Sequence, residues 1–154
     1  MALVVVMGTL FASSLTVTAA PASSKKNAEA MSAEMLEKVN TLRESYGLED
    51  LAYDSELVSY AETRAKEITK KFSHTRPDGT QGYDIIPLSR GYAGENLAMC
   101  TMDNSVDAIA TEIFTDLKNS PTHLENMVAP EYKNIGIASV EAGGIIYIVF
   151  LFAD

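Results

Sequence analysis

The sequence predicts an α+β fold, in which a central antiparallel sheet lies between two layers of helices. Three amphipathic helical stripes occur along the chain, and β-type segments end it. The last segment, residues 145–152, is a continuous apolar run, which is typical of a strand with both faces covered. A buried helix is the competing interpretation, but the β-branched and aromatic residues of the run favour a strand. At 154 residues the chain suffices for one domain.

The first two helices are located by apolar residues at helical spacing. The first begins near the N-cap residue Ser32 and ends near Gly47, and the second begins at Asp54 or Ser55. Arg43 lies off the first stripe. The stripes consist of Met35, Leu36, Val39, Leu42 and Tyr46 in the first helix, and of Leu57, Ala61, Ala65 and Ile68 in the second.

The third helix has the most regular pattern. Asn104 or Ser105 caps it, and Ser120 followed by Pro121 stops it. Its stripe, of which we expect the last three residues to pack on the final strand, is Val106, Ile109, Ala110, Ile113, Phe114 and Leu117. A short helical turn follows at residues 122–128. Residues 51–53 form a short extended piece, and residues 134–140 form a strand that a Gly-Gly turn joins to the last one.

The start of the chain differs from the rest. Residues 1–20 carry no charge and are largely apolar, and Ala20-Pro21-Ala22 has the small-x-small form of a cleavage site. We therefore predict a signal peptide at residues 1–22, a linker at 23–30 and the folded domain at 31–154, which makes this a secreted protein. The positive residues that usually precede such a run are missing, so an uncleaved anchor is the alternative. No second apolar segment could cross a membrane once the signal is removed.

The net charge and the cysteine content limit the possible partners and cross-links of the chain. The formal net charge of -9 disfavours nucleic acid as a partner, and it disfavours anionic lipid surfaces for the same reason. The single cysteine, Cys100, cannot form an internal disulfide, and we expect it to be buried.

Three residues are the candidates for chemistry: His74, Glu95 and His123. The chain has only these two histidines, and each lies beside a turn or a helix boundary. Glu95 falls in residues 72–99, a stretch with several Gly and Pro that we expect to be irregular and functional. Taken alone these positions are weak signals, because a loop histidine is usually solvated. No His-Glu-x-x-His motif, phosphate loop or Gly-x-Ser-x-Gly motif is present.

Four segments in order carry a resemblance to a known family. They are Phe-Ser-His with Arg-Pro-Asp-Gly at residues 72–79, Gly-Glu-Asn-Leu-Ala at 94–98, Ser-Pro-Thr-His-Leu-Glu-Asn-Met at 120–127, and Tyr-Lys-Asn-Ile-Gly-Ile at 132–137. With them the chain resembles the CAP superfamily, or SCP domain, whose members include cysteine-rich secretory proteins, antigen 5 and group 1 pathogenesis-related proteins. The short bacterial members are the most similar type.

The resemblance implies an α-β-α sandwich and a cleft lined by two histidines and two acidic residues. His74, Glu95 and His123 match three of these four positions. The fourth has no clean match: Asp116 is the nearest acidic residue, and Glu112 lies one turn earlier. Leu117 stands where bacterial relatives commonly have Trp. No general catalytic activity defines the family, whose members bind diverse ligands.

Several functions are compatible with such a cleft. Two imidazoles and a carboxylate form a sensible ligand set for a divalent metal such as Zn²⁺, with His74, Glu95 and His123 as the ligands. The alternative is a hydrogen-bonded cluster that braces the cleft without a metal. We favour a binding module for a small ligand, a lipid, a peptide or a cell-surface component. A metal-assisted hydrolase and a structural secreted protein with no ligand in the cleft are the other two possibilities.

Overall fold

Four helices and four strands make up the part of the chain that the computed structural model describes, residues 22–101 and 105–154. Two short 3-10 turns, Gly82–Ile85 and Leu88–Arg90, lie between α2 and β2. In chain order the elements are α1 (Ala22–Ser45), β1 (Ala52–Tyr53), α2 (Ser55–Ile68), β2 (Ala93–Thr101), α3 (Val106–Asn119), α4 (Pro121–Met127), β3 (Asn134–Ala142) and β4 (Ile145–Ala153). No helix in these two ranges is long and apolar enough to span a membrane.

The strands form one sheet in the order β1-β3-β4-β2. β3 and β4 are the predicted antiparallel hairpin, and β2 adds to β4, also antiparallel. Gly143 and Gly144 both have positive φ angles, 61° and 76°, which a two-residue hairpin turn requires and which glycine adopts at low cost. The short strand β1 pairs in parallel with the start of β3.

Helices cover both faces of this sheet, so the fold is the predicted three-layer α-β-α sandwich. Alternate residues of β4 belong to two separate apolar clusters, as the strand period requires. One cluster joins α1, α3 and α4 to Ile146, Ile148, Phe150 and Phe152. The other joins α2 to Val149, Leu151 and Ala153. The continuous apolar run at the end of the chain is therefore a strand that is buried on both sides.

Helix α1 begins earlier than predicted. It starts at Ala22, so residues 23–30, which we predicted as a linker, form its first turns. Ser32 is not the N-cap: its buried hydroxyl has one proton and lies within hydrogen-bond distance of the carbonyls of Ala28 (3.0 Å) and Ile137 (3.1 Å), which places the helix against β3. The predicted signal peptide lies outside the described residues except for Ala22.

The C-terminal part of α1 corrects two further expectations. Tyr46, which we placed on the buried stripe, is 54% exposed because the helix ends just before it. Arg43, off that stripe, is 1% exposed. Its guanidinium donates to the carbonyls of Glu49 (2.8 Å), Met127 (3.0 Å) and Ala129 (2.9 Å). Burial lowers the pKa of Arg43, and these carbonyls replace the water that the charge loses.

Sequence patterning missed β2, whose first seven residues, 93–99, lie in the segment that we expected to be irregular. Gly94, Glu95 and Asn96 have low β propensity, but pairing with β4 along its whole length overrides it. Residues 72–92 do lack regular strands and long helices, as predicted. Cys100, on β2, is half-buried and packs against the core.

The second and third helices agree with the predictions in most respects. Asp54 caps α2 by accepting from the backbone N–H groups of Glu56 (2.8 Å) and Leu57 (3.2 Å). Ser105 caps α3, which ends at the Ser120-Pro121 stop; Asn104 lies outside the described residues. Phe114 is the exception, because it is only half-buried and lines a groove between α1 and α3.

Candidate functional site

Glu95 forms a buried ion pair with Arg64 across the α2 face of the sheet. Arg64 Nε donates to Oε2 of Glu95 (2.7 Å), and Nη2 donates to Oε1 (3.2 Å). Both side chains are 1% exposed. Gly82 packs so closely that a Cβ in its place would overlap the carboxylate. The carboxylate is therefore held in one position by two directional bonds and by contact.

His74 is the second partner of Glu95. Its Nδ1 lies 2.9 Å from Oε1 of the carboxylate. Because a carboxylate accepts and does not donate, Nδ1 carries the proton in this bond, which leaves Nε2 of the neutral ring as the acceptor. The His74 side chain is 54% exposed. Glu95 thus fixes the orientation of an imidazole that remains accessible.

Two backbone hydrogen bonds hold the loop that follows His74 in a tight turn. The Gly82 N–H donates to the His74 carbonyl (2.7 Å), and the Gly79 N–H donates to the Arg76 carbonyl (3.0 Å) across the predicted Pro-Asp-Gly turn. Gly79 has a φ of 89°, which explains the glycine at this position. The turn therefore returns the chain to His74 and brings Gly82 against Glu95.

Glu67 links this loop to the buried pair. Its carboxylate accepts from Arg64 Nη1 (2.6 Å) and from Arg76 Nη2 (3.0 Å). Burial opposes the ionisation of Glu67, but the hydrogen bonds from Arg76 and Arg64 outweigh it and lower its pKa. His74, Glu95, Arg64, Glu67 and Arg76 form one connected network, in which each carboxylate has an arginine partner.

His123 approaches β2 from the other face, on α4. Asn96 Nδ2 donates to the His123 carbonyl (2.9 Å), and Asn126 Nδ2 donates to the carbonyl of Glu95 (3.3 Å) and to Oδ1 of Asn96 (2.8 Å). These bonds fix α4 beside Glu95. Burial lowers the pKa of His123, and the charge of His74 lowers it further. His74 and α4, which carries His123, thus approach β2 from opposite faces at Glu95 and Asn96.

His74 and the backbone of His123 therefore both lie at residues 95–96 of β2, and we name this part of the strand edge the cleft. Asp116 and Glu112 lie exposed on α3, and neither makes a hydrogen bond or ion pair to the three candidate residues in the described ranges. Arg64 is the site residue that sequence analysis missed. The helical spacing could have indicated that Arg64 is buried, because it lies three residues after Ala61 and four before Ile68, on the apolar stripe of α2.

Glu95 does not fit the role of a metal ligand. Both of its oxygens are engaged by Arg64 and His74, and its side chain is buried. Among the described residues, no group of three or more His, Cys, Asp or Glu side chains is arranged to hold a metal ion. Of the two alternatives that the sequence left open, a three-ligand metal site would require Glu95 to exchange these hydrogen bonds for a metal, whereas a hydrogen-bonded cluster would not.

A three-layer sandwich with two histidines and a glutamate along its edge strand defines a recognisable class of domain. The family model for the cysteine-rich secretory protein family, CAP, matches residues 36–152. The chain belongs to this family. A curated relative, the uncharacterized protein YkwD of Bacillus subtilis, is 28% identical over 135 residues, which are 84% of this chain. Since they are 49% of the relative, the chain spans about half of that protein's length.

Solved structures show the same fold. An extracellular SCP-domain protein from Bacillus anthracis has a TM-score of 0.65 at 22% identity, covering 88% of this chain and 44% of that one. An outer surface protein from Borrelia burgdorferi has a TM-score of 0.64 at 23% identity, covering 85% and 94%. NaASP2, solved with Zn²⁺, has a TM-score of 0.61 at 18% identity, covering 80% and 79%.

The electrostatic effect of His74 on His123 gives a first prediction. Replacing His74 by Gln removes the electrostatic effect of His74 on its neighbour, so the pKa of His123 should rise towards its ordinary value of 6.5. It should not reach that value, because burial persists. Titrating the His123 ring protons by NMR measures the change. An unchanged His123 pKa in this variant would show that the imidazoles do not interact.

The lowered pKa of His123 also makes the stability of the fold depend on pH. The unfolded chain binds a proton at His123 more readily than the folded one does, so this residue lowers stability as the pH falls below 6.5 towards the folded pKa. His123→Gln should therefore flatten the acid side of a plot of Tm against pH.

Proposed function

We propose that this chain is an exported CAP-domain binding module whose ligand lies in the cleft between His74 and His123. The predicted signal peptide supports export, and so do the descriptions of two structural neighbours as an extracellular and an outer surface protein. Recovering the protein from culture medium and sequencing its N-terminus tests this part. A start between Ala20 and Ser24 supports export, whereas an intact Met1 on a cytoplasmic protein contradicts it.

One observation carries the proposal for the cleft: the rigid bracing of an accessible imidazole. The Arg64–Glu95 pair is buried and costly to build, yet Glu95 also accepts a hydrogen bond from His74, a side chain that is more than half exposed. A purely structural pair would gain little from orienting an exposed ring. Fixing the ring before a ligand arrives reduces the ordering cost of binding, which is the usual benefit of a preorganised site.

A divalent metal is the second candidate ligand. In this case Glu95 would orient a histidine that ligates the metal and would not ligate the metal itself. A histidine that ligates metal commonly donates its other ring N–H to a carboxylate, as His74 Nδ1 does to Glu95. The imidazoles of His74 and His123 are then the two donors from this chain. Two donors are fewer than the three protein ligands typical of a catalytic zinc site, so the arrangement favours binding over metal-assisted hydrolysis.

Native mass spectrometry of protein purified without chelator tests the cleft directly. We expect a retained metal or small ligand on the wild type, and its loss from His74→Ala and His123→Ala. Asp116→Asn is the matched control, because it removes a charge from the exposed face of α3 and should retain the ligand. If both histidine variants retain what the wild type carries, or if the wild type binds nothing under any condition, the structural alternative replaces this proposal.

A further inference from the structure

Glu95 and Asn96 are adjacent on β2, and their side chains point to opposite faces of the sheet, because successive residues of a strand alternate. Glu95 contacts Arg64 and His74 on the α2 face. Asn96 lies on the other face, where its cross-strand partner Phe150 belongs to the cluster that packs against α1, α3 and α4. Asn96 is 0% exposed, so its amide has lost contact with water and needs hydrogen-bond partners inside the protein.

The hydrogen-bond partners that the described chain gives the Asn96 amide both lie on α4. Its Nδ2 donates to the His123 carbonyl (2.9 Å), and its Oδ1 accepts from Asn126 Nδ2 (2.8 Å). The orientation of the amide follows from its chemistry, since a carbonyl can only accept and must therefore face the Nδ2 donor. Asn126 Nδ2 is shared with the Glu95 carbonyl (3.3 Å). Three polar contacts thus link α4 to residues 95 and 96 of β2.

The position of α4 depends on such contacts, because a helix of seven residues is too short to be stable alone. Its C-terminal end is fixed by Met127, whose side chain is 0% exposed in the core and whose carbonyl accepts from Arg43 Nη1 (3.0 Å). Residues 121–124, at the other end, are exposed or half-buried, and they include His123. The bond from the fully buried Asn96 therefore holds the His123 end of α4 against the strand.

Gly94 leaves room for this contact between α4 and β2. A Cβ at this position would overlap the Tyr132 hydroxyl and would lie 3.1 Å from Oδ1 of Asn126. A larger residue would therefore push one or both of these side chains away from the strand. Gly94 thus serves the α4 side of β2, as Asn96 does, whereas the Glu95 side chain serves the α2 side.

We infer that Asn96 is the positioning residue for His123, as Glu95 is for His74, so that adjacent residues of one strand hold the two histidines from opposite faces. Asn96 acts through α4, because it contacts the His123 backbone, whereas Glu95 contacts the His74 ring. This inference rests on the proposed binding function and adds the residue that prepares its second histidine. With both histidines held before a ligand arrives, binding requires a smaller loss of conformational freedom.

The reactivity of the His123 ring tests this assignment without a ligand. Diethyl pyrocarbonate modifies neutral imidazole, and peptide mass spectrometry gives the rate at each histidine of the folded protein. The reaction is run with EDTA, which keeps metal off the rings, and at about pH 8, well above the ordinary histidine pKa. In Asn96→Ala we expect the rate at His123 to rise about fivefold, the effect of one lost hydrogen bond on a local opening equilibrium. The rate at His74 should not change, because Glu95 remains in place.

Asn40→Ala is the matched control, because Asn40 also joins two segments through its amide. Its Nδ2 donates to the Leu51 carbonyl (3.2 Å), and its Oδ1 accepts from the Leu51 N–H (2.9 Å), which links α1 to the segment before β1. This control should lower stability in urea unfolding, as Asn96→Ala does, but leave the rate at His123 as in the wild type. If Asn96→Ala does not fold, Asn126→Ala replaces it. This half-buried residue donates to Asn96 Oδ1, and its loss should also raise the rate at His123.

An unchanged rate at His123 in Asn96→Ala, or in Asn126→Ala where the first variant does not fold, would overturn the inference. Equal increases at His74 and His123, or an increase at His123 in Asn40→Ala, would overturn it too, because they indicate a general loosening of the fold. The proposed function fails separately, when the wild type retains nothing in native mass spectrometry. A selective increase at His123 in such a protein would support the positioning role of Asn96 and leave the cleft without a ligand.

Discussion

Replacing Glu95 by Gln is expected to lower the free energy of unfolding by about 3–5 kcal/mol, because it leaves the buried Arg64 guanidinium without its principal partner. Gln is nearly isosteric with Glu, so the loss comes from charge and not from volume. Glu67 still accepts from Arg64 and limits the damage. Urea unfolding of the purified variant provides the measurement.

A double variant and an exposed pair are the controls. Removing both charges, as Arg64→Met with Glu95→Leu, should recover much of the loss, because no unpaired charge is then buried. Glu49→Gln breaks the exposed pair with Lys133 and should change stability by less than about 1 kcal/mol. If Glu95→Gln has an effect as small as Glu49→Gln, the pair does not hold the cleft together.

Truncating Ile113 to Ala should cost about 2–5 kcal/mol, because this residue is 3% exposed within the cluster between α3 and the sheet. Its neighbour Phe114 is the matched comparison. Although Phe114 is larger, it is half-buried in the groove between α1 and α3, and we expect its truncation to cost less. The same urea experiment applies to both variants. A greater loss at Phe114 would mean that the helix is rotated from the position described.

Periodicity predicted the elements whose burial is regular. The stripe of α3 and the apolar run of β4 identified both layers of the sandwich, because each buried position recurs with the period of its element. Periodicity did not predict β2, because this strand contains glycine, charged and amide residues in place of a regular apolar pattern. The start of α1 also escaped it: Ser32 has the residue type of an N-cap but anchors the helix to a strand that is distant in sequence.

The cleft was predictable in its residues but not in its roles. The motifs that carry the family resemblance contain His74, Glu95 and His123; in the structure His74 contacts Glu95, and the His123 carbonyl accepts from Asn96. The role of Glu95 depends on Arg64, which lies 31 residues away in sequence. An arginine on an apolar stripe signals a buried carboxylate partner but does not identify it. Arg43 illustrates the same limit, since its partners are backbone carbonyls that no side-chain pattern marks.

The central claim is that Glu95 braces the cleft and does not ligate metal. A crystal structure of the protein grown with Zn²⁺ tests it most directly. We predict that both Glu95 oxygens remain within hydrogen-bond distance of Arg64 and of His74 Nδ1, whether or not zinc occupies the imidazoles. A Glu95 oxygen within about 2.2 Å of a zinc ion, with Arg64 displaced from the carboxylate, would contradict the claim.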